Sequence, residues 1–155
     1  MKAVFVGEHP DTGDTRKGIF LAGPSPRGGK GRNWRPDALE SLEQQGFDGL
    51  VYVPLLEDGS WLGNFEMQMD WELHYLEIAD IIAFWVPRDL ETLPGLTTNI
   101  EFGLFVKSGK VVLGYPSNAT HVRYMDRLAR LHHVLVTHDF EHTLYLAMML
   151  AKEKE

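Results

Sequence analysis

The segment Gly95-Leu96-Thr97-Thr98-Asn99-Ile100-Glu101-Phe102-Gly103 holds the residue types and spacing best suited to covalent chemistry. Thr98 and Glu101 stand at the T-x-x-E spacing of a capping box, in which both side chains satisfy free amides at a helix start. That use alone accounts for the pattern. The segment also follows the apolar run Ile81 to Val86, and ligands of parallel α/β sheets gather beyond the carboxyl ends of such strands. A carboxylate in the first turn of a helix there stays ionised, because the amide ends favour negative charge. Beside a pocket it can act as a nucleophile towards a sugar anomeric carbon. Asp80, which opens the same apolar run, is the second carboxylate; by itself it reads equally as a helix cap or an anchor for a nearby amide. Trp61, Gln68, Trp71 and Glu72 form a third group. Gln68 lies one helical turn before Trp71 and Glu72 and shares a face with both. The group is either one core tryptophan with a solvated acid or an aromatic and amide wall around a planar base.

Three other patterns fail on inspection. The loop Gly23-Pro-Ser25-Pro-Arg27-Gly28-Gly29-Lys30-Gly31 follows a strand as a phosphate loop would, but Pro24 and Gly31 occupy places where a Walker A motif needs glycine and Ser or Thr. His138-Asp-Phe-Glu141-His142 has the H-x-x-E-H form of an inverted zinc site, yet too little chain follows for a downstream third ligand. The pair His132-His133 has no partner at metal-ligand spacing.

These residues are set in a chain of 155 residues that is 44% hydrophobic and 24% charged, as expected of one globular domain over 1–155. The net charge of −7 provides no general electrostatic footprint for nucleic acid or an anionic membrane. The absence of cysteine excludes thiolate nucleophiles, disulfides and cysteine-ligated metals. Neither a signal peptide nor an apolar run of roughly 20 residues is evident, so a cytoplasmic location is expected.

Apolar runs and helical patterns alternate along the chain. Strands are expected at Ile19 to Ala22, Leu50 to Val53, Ile81 to Val86, Val111 to Leu113 and Val134 to Val136, with Lys2 to Val6 an extra edge strand or a hairpin arm. Helices are expected over Asn33 to Gln45, Phe65 to Ala79, Thr98 to Ser108, Tyr124 to Leu131 and His138 to Lys152. Continuous apolar strands are buried on both faces, which implies a parallel sheet covered by helices. The expected fold is therefore α/β: a doubly wound, mainly parallel five-stranded sheet of flavodoxin- or Rossmann-like type. Its ligand-contacting residues should follow Ala22, Val53, Val86 and Leu113.

In this order, Gly18-Ile-Phe-Leu-Ala-Gly23, Ile78-Ala-Asp80-Ile-Ile with Pro87, and Asn99-Ile-Glu101-Phe-Gly103 with Ser108-Gly-Lys110-Val-Val-Leu resemble the nucleoside 2-deoxyribosyltransferase family over roughly residues 18 to 116. The resemblance implies that Glu101 attacks C1′ of a 2′-deoxynucleoside, giving a deoxyribosyl-enzyme and a free base, and that a second base then takes the sugar. It implies that Asp80 helps hold the base and pass its proton, and that Asn99 orients the nucleophile or the sugar. Gly23, Ser25, Trp61, Gln68, Trp71, Glu72 and Asn99 are the expected substrate-binding residues, with Trp61, Phe65 and Trp71 excluding water. Deoxynucleosides and free nucleobases are the implied partners, without metal or organic cofactor. Homo-oligomers with sites near subunit interfaces are implied as well. Three features depart from the family pattern: Pro94 to Thr98 lacks an acid before the nucleophile, leaving Asp89 or Glu91 as distant substitutes; Ile19 and Phe20 occupy the region of the tyrosine expected near the first strand; and the Asn-x-Met contact has only Tyr124-Met125 as a counterpart. Two other readings stand beside transfer: a nucleotide N-glycosidase whose 5′-phosphate lies on Ser25, Arg27, Gly28, Gly29 and Lys30, and a non-catalytic nucleotide-binding module.

Overall fold

Every residue of the four central strands is buried, as expected of strands covered on both faces. The computed structural model describes residues 1–27 and 29–154. Six strands, β1 (Lys2–Phe5), β2 (Gly18–Ala22), β3 (Leu50–Val53), β4 (Ile81–Trp85), β5 (Val111–Gly114) and β6 (Leu135–Thr137), form one parallel sheet in the order β1-β3-β2-β4-β5-β6. The sheet thus has one strand more than the five expected. Lys2–Phe5 is the additional edge strand; its parallel pairing with β3 excludes a hairpin arm.

Helices α1 (Arg35–Gln44) and α5 (Phe140–Glu153) cover one face through Trp34, Ala38, Leu42, Leu144, Ala147 and Met148. Helices α2 (Phe65–Ile78), α3 (Leu96–Phe105) and α4 (Arg123–Leu131) cover the other through Trp71, Tyr75, Leu76, Phe102, Met125 and Ala129. The fold is doubly wound and flavodoxin-like. Asn64 and Asp139 start α2 and α5 by accepting from the amides of Met67 and His142. The His138–His142 segment is therefore a capped helix start.

The chain passes from β2 to β3 on one side and then crosses to β4 on the other. A crevice opens at such a reversal, beyond the carboxyl ends of the strands. Gly23 lies at this point with φ +148°, and a Cβ there would stand 2.0 Å from the Trp85 carbonyl oxygen. Only glycine lets the β2 exit pass so close to the end of β4.

Asp80 occupies the opposite edge. Its Oδ2 accepts from the Gly18 amide at 2.7 Å, its own amide donates to the Gly18 carbonyl, and Oδ1 is 3.5 Å from Lys17 Nζ. It joins the amino ends of β2 and β4. A five-residue strand separates it from the crevice by roughly 16 Å. The expected part for Asp80 in proton transfer does not fit this placement, because a residue that opens a strand lies at the edge away from ligands. Replacing Asp80 with alanine should cost about 1–2 kcal/mol in urea unfolding, since the Gly18 amide loses its charged acceptor.

Candidate functional site

A cavity of about 670 Å3 fills the crevice, walled by the β2 exit, the turn after β3, α2 and α3. Spacing explains which side chains α2 contributes. Phe65, Gln68, Met69, Glu72 and Leu73 follow the i, i+3, i+4, i+7, i+8 pattern and all border the cavity. Trp71 points the other way. Its ring packs beneath the helix against Phe20 and Tyr75, and its indole N–H donates to the Glu8 carbonyl. Of the two alternatives for this cluster, Gln68 and Glu72 form the polar wall, while Trp71 belongs to the core.

The orientation of Gln68 is fixed by backbone on both sides. Its Oε1 accepts from the Leu62 amide at 3.1 Å, so its amino group faces the Pro54 carbonyl at 2.9 Å and Glu72 Oε1 at 2.5 Å. Gln68 thereby holds the Glu72 carboxyl at the cavity and favours its charged form, as does Arg35. Burial outweighs both and raises the Glu72 pKa above the ordinary value.

Glu101 faces the same cavity from α3, but not as a cap. The helix starts earlier than expected, at Leu96, with Gly95 as its cap in the left-handed conformation (φ 61°, ψ 47°) and no side-chain cap hydrogen bond. A Cβ on Gly95 would stand 2.6 Å from Pro24, so glycine allows this helix end to press against the β2 exit. Thr98 is buried inside the first turn and Glu101 falls in the second. The expected capping box is absent, and Glu101 is not held ionised by the helix end. Burial is the main cause that lifts its pKa to about 8; the Glu72 charge adds to the rise and Arg35 opposes it.

Arg35, which the motif reading passed over, organises the site. It is only 2% exposed and donates to the Leu21 carbonyl at 3.2 Å, the Ser25 Oγ at 2.9 Å and the Gly23 carbonyl at 2.8 Å. Its guanidinium lies 4.7 Å from the Trp34 ring centroid. Burial lowers its pKa to about 10, which leaves it charged at neutral pH. One signal was present in the sequence: a basic residue in the first turn of a helix opposes the helix dipole, so another interaction must hold it there.

The other expected residues divide between cavity and scaffold. Gly23, Ser25 and Trp61 border the cavity, and so does Phe65. Asn99 does not: it is exposed, and its Oδ1 accepts from Arg88 at 2.6 Å. Arg88, buried at the β4 exit, also donates to the carbonyls of Pro94, Gly95 and His121. Asn99 thus helps fix the start of α3 instead of facing a ligand. Asp89 accepts from the amides of Glu91 and Thr92 in an exposed turn. Of the Gly/basic loop, Arg27 reaches the cavity rim, Lys30 is exposed beyond it, and Gly28 lies outside the described residues. Among the described residues no group of three or more His, Asp or Glu is placed to hold a metal ion, and no helix is long and apolar enough to cross a membrane.

Glu101 holds its proton more tightly in the folded chain than at the ordinary glutamate value of 4.5. The resulting stabilisation is complete below that value and is lost as pH rises towards about 8. Glu101→Gln removes this dependence. In urea titrations from pH 5 to 9, the variant should overtake the wild-type protein as pH rises, by up to a few kcal/mol at the alkaline end.

The family model described as nucleoside 2-deoxyribosyltransferase like matches residues 16–119. The matched stretch spans β2 to β5 and includes Gly23, Arg35, Glu72 and Glu101. No match is found among curated proteins.

Proposed function

Because the chain belongs to the nucleoside 2-deoxyribosyltransferase-like family, we propose that the cavity transfers a 2-deoxyribosyl group between nucleobases through Glu101. The observation that carries this reading is the meeting of Glu101 and Glu72 on one cavity, with Arg35 acting on both. In the first half-reaction Glu101 Oε attacks C1′ and the C1′–N bond breaks. The bonding pair leaves with the base, which takes a proton from the Glu72 carboxyl. In the second, the acceptor base attacks C1′, Glu101 departs as carboxylate, and the proton returns to Glu72. Such chemistry needs one charged and one protonated carboxyl together. With Glu101 raised to about 8, partly by the Glu72 charge, the two carboxyls hold a proton at neutral pH.

Glu72 thus takes the proton-handling part first expected of Asp80. Arg35 favours the charged form of both carboxyls, and the reactive arrangement is the one in which Glu101 is the ionised member. The surrounding surface supports transfer over hydrolysis. Phe65, Met69 and Leu73 on α2 and Leu96, Ile100 and Leu104 on α3 border the same cavity, with Phe65 79% and Ile100 66% exposed. Paired apolar stripes of this kind suit a self-complementary contact between copies of the chain, which would exclude water from the glycosyl-enzyme.

The direct test is incubation with deoxyadenosine and free cytosine, following both bases by chromatography. Formation of deoxycytidine is the expected result. Release of adenine alone would replace transfer with hydrolysis, and neither product would leave a binding module. Glu101→Gln should lower exchange by about 1,000-fold or more and abolish the deoxyribosyl adduct seen by mass spectrometry. Glu72→Gln should slow exchange by about 100-fold or more and remove the alkaline limb of the pH profile, because no shared proton then remains to be lost. Ile100→Asp should convert an associated protein to single chains in light scattering.

A further inference from the structure

The cavity lining is cationic as well as acidic, since Arg27 and Arg35 border it beside Glu72 and Glu101. A guanidinium has five N–H bonds, and Arg35 commits three of them to Leu21, Gly23 and Ser25 while its side chain also borders the cavity. Among the described residues no carboxylate lies within ion-pair distance of it. Ser25 accepts from Arg35, so its own hydroxyl proton is free to be donated into the cavity. Arg27 stands at the rim, its guanidinium 5.8 Å from the Trp61 ring centroid, with no carboxylate partner among the described residues. A chain with net charge −7 therefore turns two arginines and a hydroxyl towards the same cavity.

A buried charge is costly unless it is paired and hydrogen-bonded. Arg35 has the hydrogen bonds, but its charge is opposed only at longer range by Glu72 and Glu101. A phosphate monoester supplies what is missing: negative charge and several acceptor oxygens, which guanidinium groups bind in fork geometry. We propose that Ser25, Arg27 and Arg35 form a subsite for the 5′-phosphate of the ligand, so that the cavity takes 2′-deoxynucleoside 5′-monophosphates in preference to nucleosides. The sugar then bridges the two groups, with its phosphate on the arginines and its C1′ towards Glu101.

This proposal rests on the reading of the cavity as a nucleoside site, and binding can be measured apart from turnover. Titration calorimetry on Glu101→Gln, which holds ligand without consuming it, compares deoxyadenosine with deoxyadenosine 5′-monophosphate. The monophosphate should bind about tenfold more tightly or better, as expected for charge-assisted hydrogen bonds. The advantage should shrink as salt rises, because Arg27 is exposed. Adding Arg27→Ala should bring the ratio of the two dissociation constants down several-fold, and Arg35→Lys, which keeps the charge but loses the fork, should lower it as well. Melting curves confirm that each variant is folded. Equal affinity for the two ligands overturns the phosphate subsite even if base exchange occurs. A monophosphate preference untouched by Arg27→Ala overturns it too. A preference that follows the arginines in a protein without exchange activity upholds the subsite and rejects the transfer reaction, so the two readings fail separately.

Discussion

A single buried guanidinium ties the strand exit to the two carboxyls of the cavity. Arg35 donates to residues 21, 23 and 25, which alternate along the end of β2 and the loop beyond it. Those bonds keep the wall of the cavity from relaxing into the space where a ligand would sit. One of them satisfies the Gly23 carbonyl, which lies just beyond the end of β2. The same charge acts on Glu72 and Glu101 across the cavity. Two close approaches complete the arrangement. Gly23 passes the Trp85 carbonyl, and Gly95 brings α3 against Pro24. Without the first, β2 and β4 could not leave the sheet side by side; without the second, Glu101 would stand farther from the arginine that moderates its charge.

The placement of the two carboxyls follows from the helices that hold them. Glu72 shares a face of α2 with Gln68, itself anchored to backbone at Leu62 and Pro54. Glu101 lies a full turn beyond the start of α3, where the helix end has little influence on it and burial governs its titration. One carboxyl is thus restrained by hydrogen bonds and the other mainly by burial. A pair built this way suits the division between acid and nucleophile proposed for it, because the two groups are held by different interactions.

The fold was legible in the sequence because its strands are continuous apolar runs ended by Pro54 and Pro87 and separated by helical patterns. The edge strand β1 was less so. Its residues are partly exposed, and its partner β3 lies 45 or more positions away. Within the site, Glu101, Gln68, Glu72 and Trp61 were named from type and spacing, Gly23 from the family-like opening and Ser25 from the loop after it, and all of them border the cavity. Trp71 was ambiguous because i+3 and i+4 spacing cannot say which neighbour of Gln68 turns towards the sheet. The T-x-x-E spacing misled for a related reason: a left-handed Gly95 begins the helix two residues early, which no side-chain pattern announces. Arg35 went unnoticed because its partners are backbone carbonyls, and these leave no mark in a sequence.

Asp80 and Glu72 differ in a more general way. Both are acids associated with one strand–helix unit, eight positions apart at opposite ends of the final stretch of α2 and its exit. Proximity in sequence to an apolar strand made Asp80 attractive, yet in a parallel sheet the two ends of a strand are different chemical places. At the amino end, an acid is consumed by amides of the neighbouring strand, as Gly18 shows. At the carboxyl end, the crevice between diverging connections leaves groups without backbone partners, and those groups remain available to a ligand. A helix that runs back over the sheet carries its early residues near the carboxyl edge and its last residues near the amino edge. Glu72, held by Gln68 one turn earlier on α2, reaches the crevice by that geometry, whereas Asp80 has already passed to the far edge. Direction of travel along the helix, more than distance from the strand, separates an acid that borders the cavity from one that joins two strands.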